Sequence, residues 1–353
     1  MKKILISFLI MTFYSQSALT CTIFSLYPDN GQHWVGRTFD WSYGHANIHT
    51  NKRNVKKTSV RILPSDVLST WTSKYGSVTF TQFGKEFPTG GMNETGMMID
   101  ALELKTSVYQ PADTKPSFNE LQFIQYVLDN YSSVAELAKD LEHIRLSPVG
   151  SKLHYFTCDI KECMTIEYVG GELVTHDASN PNTQFPISGL ANNSYDEHLT
   201  YTKDFETFGG TKPIVLDSKD SLDRFTRSNY NAKLINQQAD KIQSVFAWLD
   251  DVGSVNNRWQ IIYNQDEKTI TFRVKSKFDK QRVIDLNRFD YDCQKPSQYF
   301  DVDSDFEGSI NGEFRDFDFN ANYSMIKKSV QMQKLPSQLA DRLAIYPNET
   351  SCN

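Results

Sequence analysis

The sequence predicts an α+β fold with mixed layers of sheet and helix, on three observations. Strand-like runs dominate the first half of the chain, two helical segments interrupt them, and further helices and a hairpin follow. No proline-rich or glycine-rich linker and no internal repeat divides the 353 residues. The expected organisation is a leader over residues 1–20 and a single domain over residues 21–353.

Apolar runs and alternation predict the individual strands, which are expected at residues 22–26, 33–39, 77–83, 96–104, 153–157 and 164–168. A serine followed three residues later by a glutamate is typical of a helix start. Ser117 with Glu120 therefore predicts a helix at 118–130, and Ser133 with Glu136 predicts one at 134–146. Helical spacing of apolar residues predicts two more helices, at 220–236 and 240–250, and a hairpin is expected from strands 258–263 and 269–274.

The first twenty residues have the layout of a secretory signal peptide. A short segment with two lysines precedes an apolar stretch at 4–14, which is too short to span a membrane, and small and polar residues follow up to Cys21. A leader peptidase that cuts after Ala18 would leave two residues for the protein itself to remove. We therefore expect a secreted or periplasmic protein whose mature chain starts at Cys21.

A cysteine at a new N-terminus carries both a nucleophile and a base. Its thiol attacks a carbonyl while its α-amine, with a pKa of about 8, takes the proton. Position alone equally fits a lipid-modified anchor or a structural cysteine. Lipid attachment is disfavoured, because a lipoprotein signal usually has leucine three residues before the cysteine and a small residue directly before it, where this chain has Ala18 and Thr20.

Composition limits the possible partners and cofactors. A net charge of −6 without a basic run argues against nucleic acid, and no second apolar stretch is long enough to span a membrane. Besides Cys21 there are four cysteines, an even number that suggests disulfides in an exported protein. Cys158 and Cys163 flank the turn of a hairpin and could be bridged, which leaves Cys293 and Cys352, although other pairings stay open. The CxxC spacing of zinc sites is absent, so we expect no metal and no cofactor.

Three polar residues suit the chemistry of an N-terminal cysteine. The Arg37 guanidinium could hold thiolate charge and the Asp40 carboxylate could hold the α-amine, although residues three apart on a strand point to opposite faces unless a turn intervenes. Asn180 precedes Pro181 in a turn, where its amide could donate to an oxyanion. A surface ion pair and an ordinary Asn-Pro turn are the alternative interpretations.

Six short motifs occur in the order seen in one known family. They are Cys21-Thr22, Gly36-Arg37-Thr38-Phe39-Asp40-Trp41, Gly91-Met92-Asn93-Glu94-Thr95-Gly96, Leu153-His154-Tyr155-Phe156, Ser179-Asn180-Pro181 and Asp223-Arg224-Phe225-Thr226-Arg227. The ordered set resembles the choloylglycine hydrolase and penicillin V acylase family and covers most of the mature chain. The resemblance implies an N-terminal nucleophile fold, in which two antiparallel sheets are sandwiched between helical layers.

The same resemblance implies roles for five residues. Cys21 would be the nucleophile through its thiol and the base through its amine, and Arg37 and Asp40 would position and tune it. Asn180 would supply an oxyanion-hole donor, and Arg224 would stabilise the charge network. The reaction implied is hydrolysis of a non-peptide linear amide through a thioester.

One matching position departs from the family. Glu103 stands where bile salt hydrolases carry an asparagine and penicillin V acylases a tyrosine. A carboxylate near an oxyanion would repel it unless protonated. Glu103 is therefore expected either to turn away from the substrate or to bind a polar or cationic part of it.

The leader favours one branch of the family as an expectation about substrate. An exported relative resembles the penicillin V acylase-like branch of Gram-negative bacteria, whose implied substrates include phenoxyacetyl amides and acyl-homoserine lactones. Alternatives are a conjugated bile salt hydrolase, a ceramidase-like lipid amidase, a papain-type hydrolase using His154 or His176, and a binding protein without catalysis. The partner expected is a small-molecule amide, and the stretch 184–220, where relatives differ in assembly loops, leaves a homo-oligomer open.

Overall fold

A computed structural model describes residues 20–177 and 186–353, which form two large sheets with helices on both outer sides. The strands, in chain order, are β1 (Thr22–Leu26), β2 (Trp34–Asp40), β3 (Asn47–Asn51), β4 (Val55–Thr58), β5 (Val67–Leu68), β6 (Thr70–Thr72), β7 (Ser77–Thr81), β8 (Gly90–Asn93), β9 (Met98–Glu103), β10 (Pro116–Phe118), β11 (Arg145–Leu146), β12 (Leu153–Cys158), β13 (Cys163–Val169), β14 (Glu172–Asp177), β15 (Gly189–Leu190), β16 (Asn257–Asn264), β17 (Thr269–Val274), β18 (Lys277–Asp285), β19 (Gln298–Asp301), β20 (Gly308–Ser309), β21 (Arg315–Asp316) and β22 (Ser351–Cys352). The α-helices are α1 (Gln122–Asn130), α2 (Val134–Asp140), α3 (Tyr195–Thr202), α4 (Ser221–Ala232), α5 (Lys241–Val252), α6 (Phe319–Met332) and α7 (Gln338–Ile345).

The first large sheet contains the strand that follows Cys21. Its order is β15-β1-β2-β16-β17-β18-β20, so β2 lies between β1 and β16. Ile23 is opposite Arg37 on one side, and Arg37 is opposite Ile261 on the other. Neighbouring strands are antiparallel except for the edge strand β20, which pairs parallel with β18. The prediction of an antiparallel sheet is therefore correct for all of this sheet but its edge.

The second large sheet has the order β14-β13-β12-β9-β8-β7-β3-β19-β21, and all its neighbouring strands are antiparallel. Two smaller sheets have three strands each, in the orders β11-β10-β5 and β22-β4-β6. The last strand of the chain, β22, pairs antiparallel with β4, which belongs to the N-terminal part of the sequence.

The layer order follows from strand alternation, because successive side chains of a strand point to opposite faces. Ile23 belongs to the core between the two sheets, whereas Phe24 belongs to an outer core with Phe246 of α5. In the second sheet Leu102 joins the central core, and Ala101 joins an outer core with α1 and α2. The result is helix, sheet, sheet and helix, which confirms the predicted αββα sandwich.

The start of α1 differs from its prediction. Phe118 lies in β10, and α1 begins only at Gln122. The predicted serine and glutamate do not cap it, since the Glu120 carboxylate accepts hydrogen bonds from a loop at 149–151 instead. Asn119 Oδ1 accepts from the N–H groups of residues 121 and 122 and satisfies the donors at this helix start.

The second predicted helix is shorter than expected. Ser133 accepts a hydrogen bond from the N–H of Glu136, as predicted, but the Glu136 carboxylate bonds Ser132. Helix α2 ends at Asp140, and a 3-10 turn at Leu141–His143 leads into β11. The apolar pattern that suggested a continuous helix therefore includes a strand residue, Leu146, in the same outer core.

A C-terminal helix pair, defined as α6, residues 333–337 and α7, forms an apolar cluster of its own with Val60 and Phe87. These helices were not predicted from the sequence. Both disulfides considered from the sequence are present, Cys158–Cys163 across a hairpin and Cys293–Cys352 at the chain end. No helix in the described part of the chain has the length and apolar character needed to cross a bilayer.

Candidate active site

Cys21 lies directly before β1 and is 3% exposed. It is the one free cysteine among residues 20–177 and 186–353. Its sulfur accepts a hydrogen bond from the N–H of Asp40 at 3.4 Å and lies 3.8 Å from the Asp40 carbonyl oxygen. The end of β2 therefore holds the thiol in a fixed position at the head of the first sheet.

The charges around the thiol oppose one another. Burial raises the pKa of Cys21, and the negative charge of Asp40 raises it further. The positive charges of Arg37 and Arg224 lower it, as does the hydrogen bond from the Asp40 N–H. Since burial is the largest effect, the resting group is a thiol and needs a base to become a nucleophile.

Asp40 ends β2 and faces the residue that precedes Cys21. Its Oδ1 accepts from the N–H of Ser254 at 2.7 Å and from the hydroxyl of Thr20 at 3.3 Å. Its buried Oδ2 has no hydrogen-bond partner among the described residues. Cleavage between Thr20 and Cys21 would leave a carboxylate with free acceptor capacity beside the new amine.

Arg37 points into the space between the sheets. It is fully buried, its Nη1 is paired with the carboxylate of Asp100, and its Nη2 donates to the Ala101 carbonyl at 2.9 Å. Its charge acts on Cys21 through space, since the guanidinium hydrogen bonds are made to the second sheet. Asp100 was not predicted as a site residue, because a single aspartate in an apolar strand gives no signal for such a role.

Gly90 makes room for the Arg37–Asp100 pair. Gly90 lies opposite Asp100 in the second sheet, and a Cβ at position 90 would stand 1.5 Å from Asp100 Oδ1 and 3.0 Å from Arg37 Nη1. Glycine is thus required here by a close approach, since its φ is not in the left-handed region.

Arg224 projects from α4 to the backbone around Cys21. Its Nη1 donates to the Cys21 carbonyl at 2.8 Å and also bonds the Thr20 carbonyl and the Thr22 hydroxyl. Its Nη2 donates to Asn192 Oδ1 at 2.8 Å. Burial lowers the pKa of Arg224 to about 10, so the guanidinium stays charged at neutral pH.

Asn192 connects Arg224 to the strand that carries Glu103. The Asn192 side-chain amide donates to the Glu103 carbonyl at 2.8 Å while its oxygen accepts from Arg224. His154 contacts the backbone next to Asn192, since its Nε2 lies 2.8 Å from the carbonyl oxygen of Ala191. Nothing in the sequence indicated that Asn192 would contact Arg224.

Glu103 is the last residue of β9. It lines the same cavity as Cys21. No described residue bonds its buried Oε2, and burial raises the pKa of its carboxyl while Lys105 lowers it. The expected contact of Glu103 with a polar or cationic part of the substrate stays a prediction.

The cavity next to Cys21 has a volume of about 240 Å³ and is mainly apolar. Phe39, Leu102 and Leu153 line the part contributed by the two sheets. Glu120 also lines it, but its carboxylate accepts three backbone N–H groups from the loop at 149–151 and is satisfied by them. An apolar group bonded to the sulfur of Cys21 would be removed from water here.

The remaining sequence candidates are Asn180 and the two histidines of the papain-type alternative. Asn180 falls in residues 178–185, outside the described residues. The histidines of the papain-type alternative bond elsewhere: His154 Nδ1 lies 2.9 Å from Glu167, and His176 contacts Thr165 and Asp196. The structure therefore brings together Cys21 and four of the other predicted residues, namely Arg37, Asp40, Arg224 and Glu103.

The αββα sandwich with a cysteine at the head of its first strand defines the class of N-terminal nucleophile hydrolases. Within that class, the model of the choloylglycine hydrolase family, described as linear amide C-N hydrolases, matches residues 21–282. The chain belongs to this family. The match begins at Cys21 and ends before the C-terminal helix pair.

Individual relatives agree with this assignment. The chain is 28% identical over 261 residues to penicillin V acylase from Pectobacterium atrosepticum, an alignment that covers 65% of this chain and 64% of the relative. The structure of penicillin V acylase from Agrobacterium tumefaciens is similar with a TM-score of 0.71 and 25% identity, covering 84% of this chain and 98% of the other. A variant of conjugated bile acid hydrolase from Clostridium perfringens shares the fold with a TM-score of 0.64 at 21% identity, covering 82% and 99%.

Proposed function

We propose that this protein is an exported cysteine amidase that hydrolyses a non-peptide linear amide of the penicillin V acylase or acyl-homoserine lactone acylase type. The observation that carries the proposal is the position of the Cys21 thiol, held by the Asp40 N–H beside an apolar cavity and at the first residue of the family match. Residues 1–20 are a leader that is removed, and residues 21–353 form the mature domain. The two disulfides fit an oxidising compartment.

Removal of Thr20 frees the α-amine of Cys21, which then takes the proton of the thiol. The thiolate attacks the substrate carbonyl carbon and forms a tetrahedral intermediate with a negative oxygen, for which Asn180 supplies a donor. The C–N bond breaks, the leaving nitrogen takes the proton from the α-ammonium group, and a thioester remains. Water then attacks the thioester with the same α-amine as base, releasing the carboxylic acid and the thiol.

The neighbouring residues have distinct positioning roles in this proposal. Asp40 holds the α-ammonium through its unpartnered Oδ2, and Arg37 offsets the negative charge of the thiolate. Arg224 fixes the Cys21 backbone through its carbonyl oxygen, so the amine and the sulfur keep one orientation. Glu103 contacts a polar or cationic part of the substrate from the cavity wall.

The test is amine release from penicillin V, glycocholate, taurocholate and a long-chain acyl-homoserine lactone. The protein is first shown by intact mass to begin at Cys21, and its Cys21→Ala variant is the control. We expect turnover of penicillin V or the lactone, abolished in the variant. Turnover of the bile salts alone would move the protein to the bile salt branch, and no turnover by correctly processed protein would favour a binding protein and refute the proposal.

A further inference from the structure

One wall of the Cys21 cavity comes from a part of the chain beyond the family match. The apolar side chains of Leu335, Leu339 and Leu343 line the cavity, and all three belong to the C-terminal helix pair. The family match ends at residue 282. These leucines therefore lie outside the part of the chain that the family model matches.

The helix pair is fixed to the body near the cavity. Asn322 Oδ1 of α6 accepts from the N–H of Lys85 at 3.0 Å, and Ile326 packs against Gly84, where a Cβ would stand 2.5 Å from the isoleucine Cδ1. Both contacts hold the loop that bears Phe83 and Phe87, two aromatic residues that also line the cavity. The leucines and this loop consequently form one packed surface.

Further attachments hold the far end of the pair. The hydroxyl of Tyr346 donates to the Thr58 carbonyl at 2.7 Å, β22 pairs with β4, and Cys352 is bonded to Cys293. A surface held at both ends presents a fixed shape to a ligand and loses little freedom when one binds.

Leu339 differs from the other leucines in how much of it is packed. Leu343 is 8% exposed, whereas Leu339 is only partly buried, although both belong to the same apolar cluster. A change at Leu339 therefore alters the cavity wall with a smaller effect on the core. Ile345 on the same helix is 48% exposed and does not line the cavity, which makes it a matched control.

We infer that the C-terminal helix pair selects the acyl group, with Leu335, Leu339 and Leu343 as the surface on which an uncharged apolar acyl chain bonded to Cys21 packs. The selected class is amides of apolar carboxylic acids, and chain length is set by the space that these leucines leave. The inference rests on the proposed function only in one respect, namely that the apolar group in the cavity is the acyl part of the amide substrate.

The test measures alkylation of Cys21 and so does not depend on amide turnover. In a series of N-alkyl iodoacetamides of increasing chain length, the sulfur displaces iodide to form a thioether and its proton goes to solvent; the adduct is located by peptide mass. We expect each methylene that packs on the wall to raise the rate about fourfold in the unaltered protein. Unsubstituted iodoacetamide gives the intrinsic reactivity of the thiol.

Two opposite changes are made at Leu339. Leu339→Trp should lower the rate with the longest reagents at least tenfold, while Leu339→Ala should move the preferred length up by one or more methylenes. Both should react with unsubstituted iodoacetamide within about twofold of the unaltered protein, and Ile345→Ala should leave the whole profile unchanged. Folded Leu339 variants that both keep the original length profile would overturn the inference.

The outcome separates this inference from the proposed function. A shifted length profile together with no hydrolysis of any amide would leave the wall as the chain-selecting surface and refute the amidase. Amide hydrolysis together with an unchanged length profile would support the amidase and refute the leucines as the chain-selecting surface.

Discussion

Asp100→Asn tests whether the buried pair with Arg37 both stabilises the fold and tunes the thiol. Both side chains are fully buried, and the substitution leaves the guanidinium without its negative partner. Removing one member of such a pair costs about 3–5 kcal/mol, because the other charge stays buried. That is a large part of the roughly 5–15 kcal/mol by which domains are stable.

The same substitution changes the reactivity of Cys21. Arg37 lowers the pKa of the thiol, and without Asp100 its positive charge is no longer offset. We expect the thiol pKa to fall, so that alkylation by iodoacetamide continues to lower pH than in the unaltered protein. Urea unfolding with intact disulfides gives the free energy, and alkylation rate against pH gives the thiol pKa.

Two controls accompany Asp100→Asn. Asp204→Asn breaks a surface pair with Lys212, in which the side chains are 54% and 63% exposed, and should change the free energy of unfolding by less than about 1 kcal/mol. Arg37→Met combined with Asp100→Leu should recover much of the stability and raise the thiol pKa. A loss below about 1 kcal/mol for Asp100→Asn with an unchanged thiol titration would refute the reasoning.

Three further predictions concern stability. Burial lowers the pKa of His49 to about 3, so this histidine stays neutral in the fold while the unfolded chain binds a proton below about 6.5. Stability is therefore lost as pH falls through that window, and His49 accounts for about 2 kcal/mol of the loss at pH 5. Because burial also lowers the pKa of His33 and His198, urea unfolding should show a difference between pH 5 and pH 8 that is smaller by about 2 kcal/mol in His49→Phe, and an equal difference in the variant would contradict the prediction. Gly90→Ala should lower the free energy of unfolding by roughly 1–3 kcal/mol, because the new Cβ clashes with Asp100. Its control in thermal unfolding is Gly312→Ala, where no atom lies within 4 Å of the new Cβ, and similar losses in both variants would contradict the prediction. Serine replacement of Cys293 and Cys352, which are 59 residues apart, should lower the free energy of unfolding by about 4 kcal/mol in the loop-entropy model. The same replacement of Cys158 and Cys163, at a separation of 5, should lower it by about 2 kcal/mol, and the opposite order in urea unfolding would contradict the model.

The sequence predicted the strands of the central core well, because their apolar runs are long and buried on both faces. Thr22–Leu26 was predicted at its observed bounds, and β12 and β13 differ from prediction by a residue at one or both ends. The start of α1 was missed, since Glu120 has better partners in a distant loop than at the helix start. Local motifs cannot report such competition from residues far along the chain.

Site residues that belong to local sequence motifs were predicted, whereas residues that act through long-range contacts were missed. Cys21, Arg37 and Asp40 were predicted as site residues because they occur in local motifs. Asp100 and Asn192 were not, since each acts only through a contact that folding creates, with Arg37 in one case and Arg224 in the other. The leucine wall was missed for a similar reason, because nothing local relates a helix near the C-terminus to a cysteine at residue 21.

The position of β2 has a consequence for the timing of folding. This strand carries Arg37 and Asp40 and pairs with β16, and the carboxylate of Asp40 is bonded to Ser254, 214 residues later in the chain. A ribosome must therefore synthesise most of the protein before the first sheet can close around the thiol, and pairings of such long range are slow to form. The nucleophile therefore takes its final surroundings only after the distant strands of this sheet have been made.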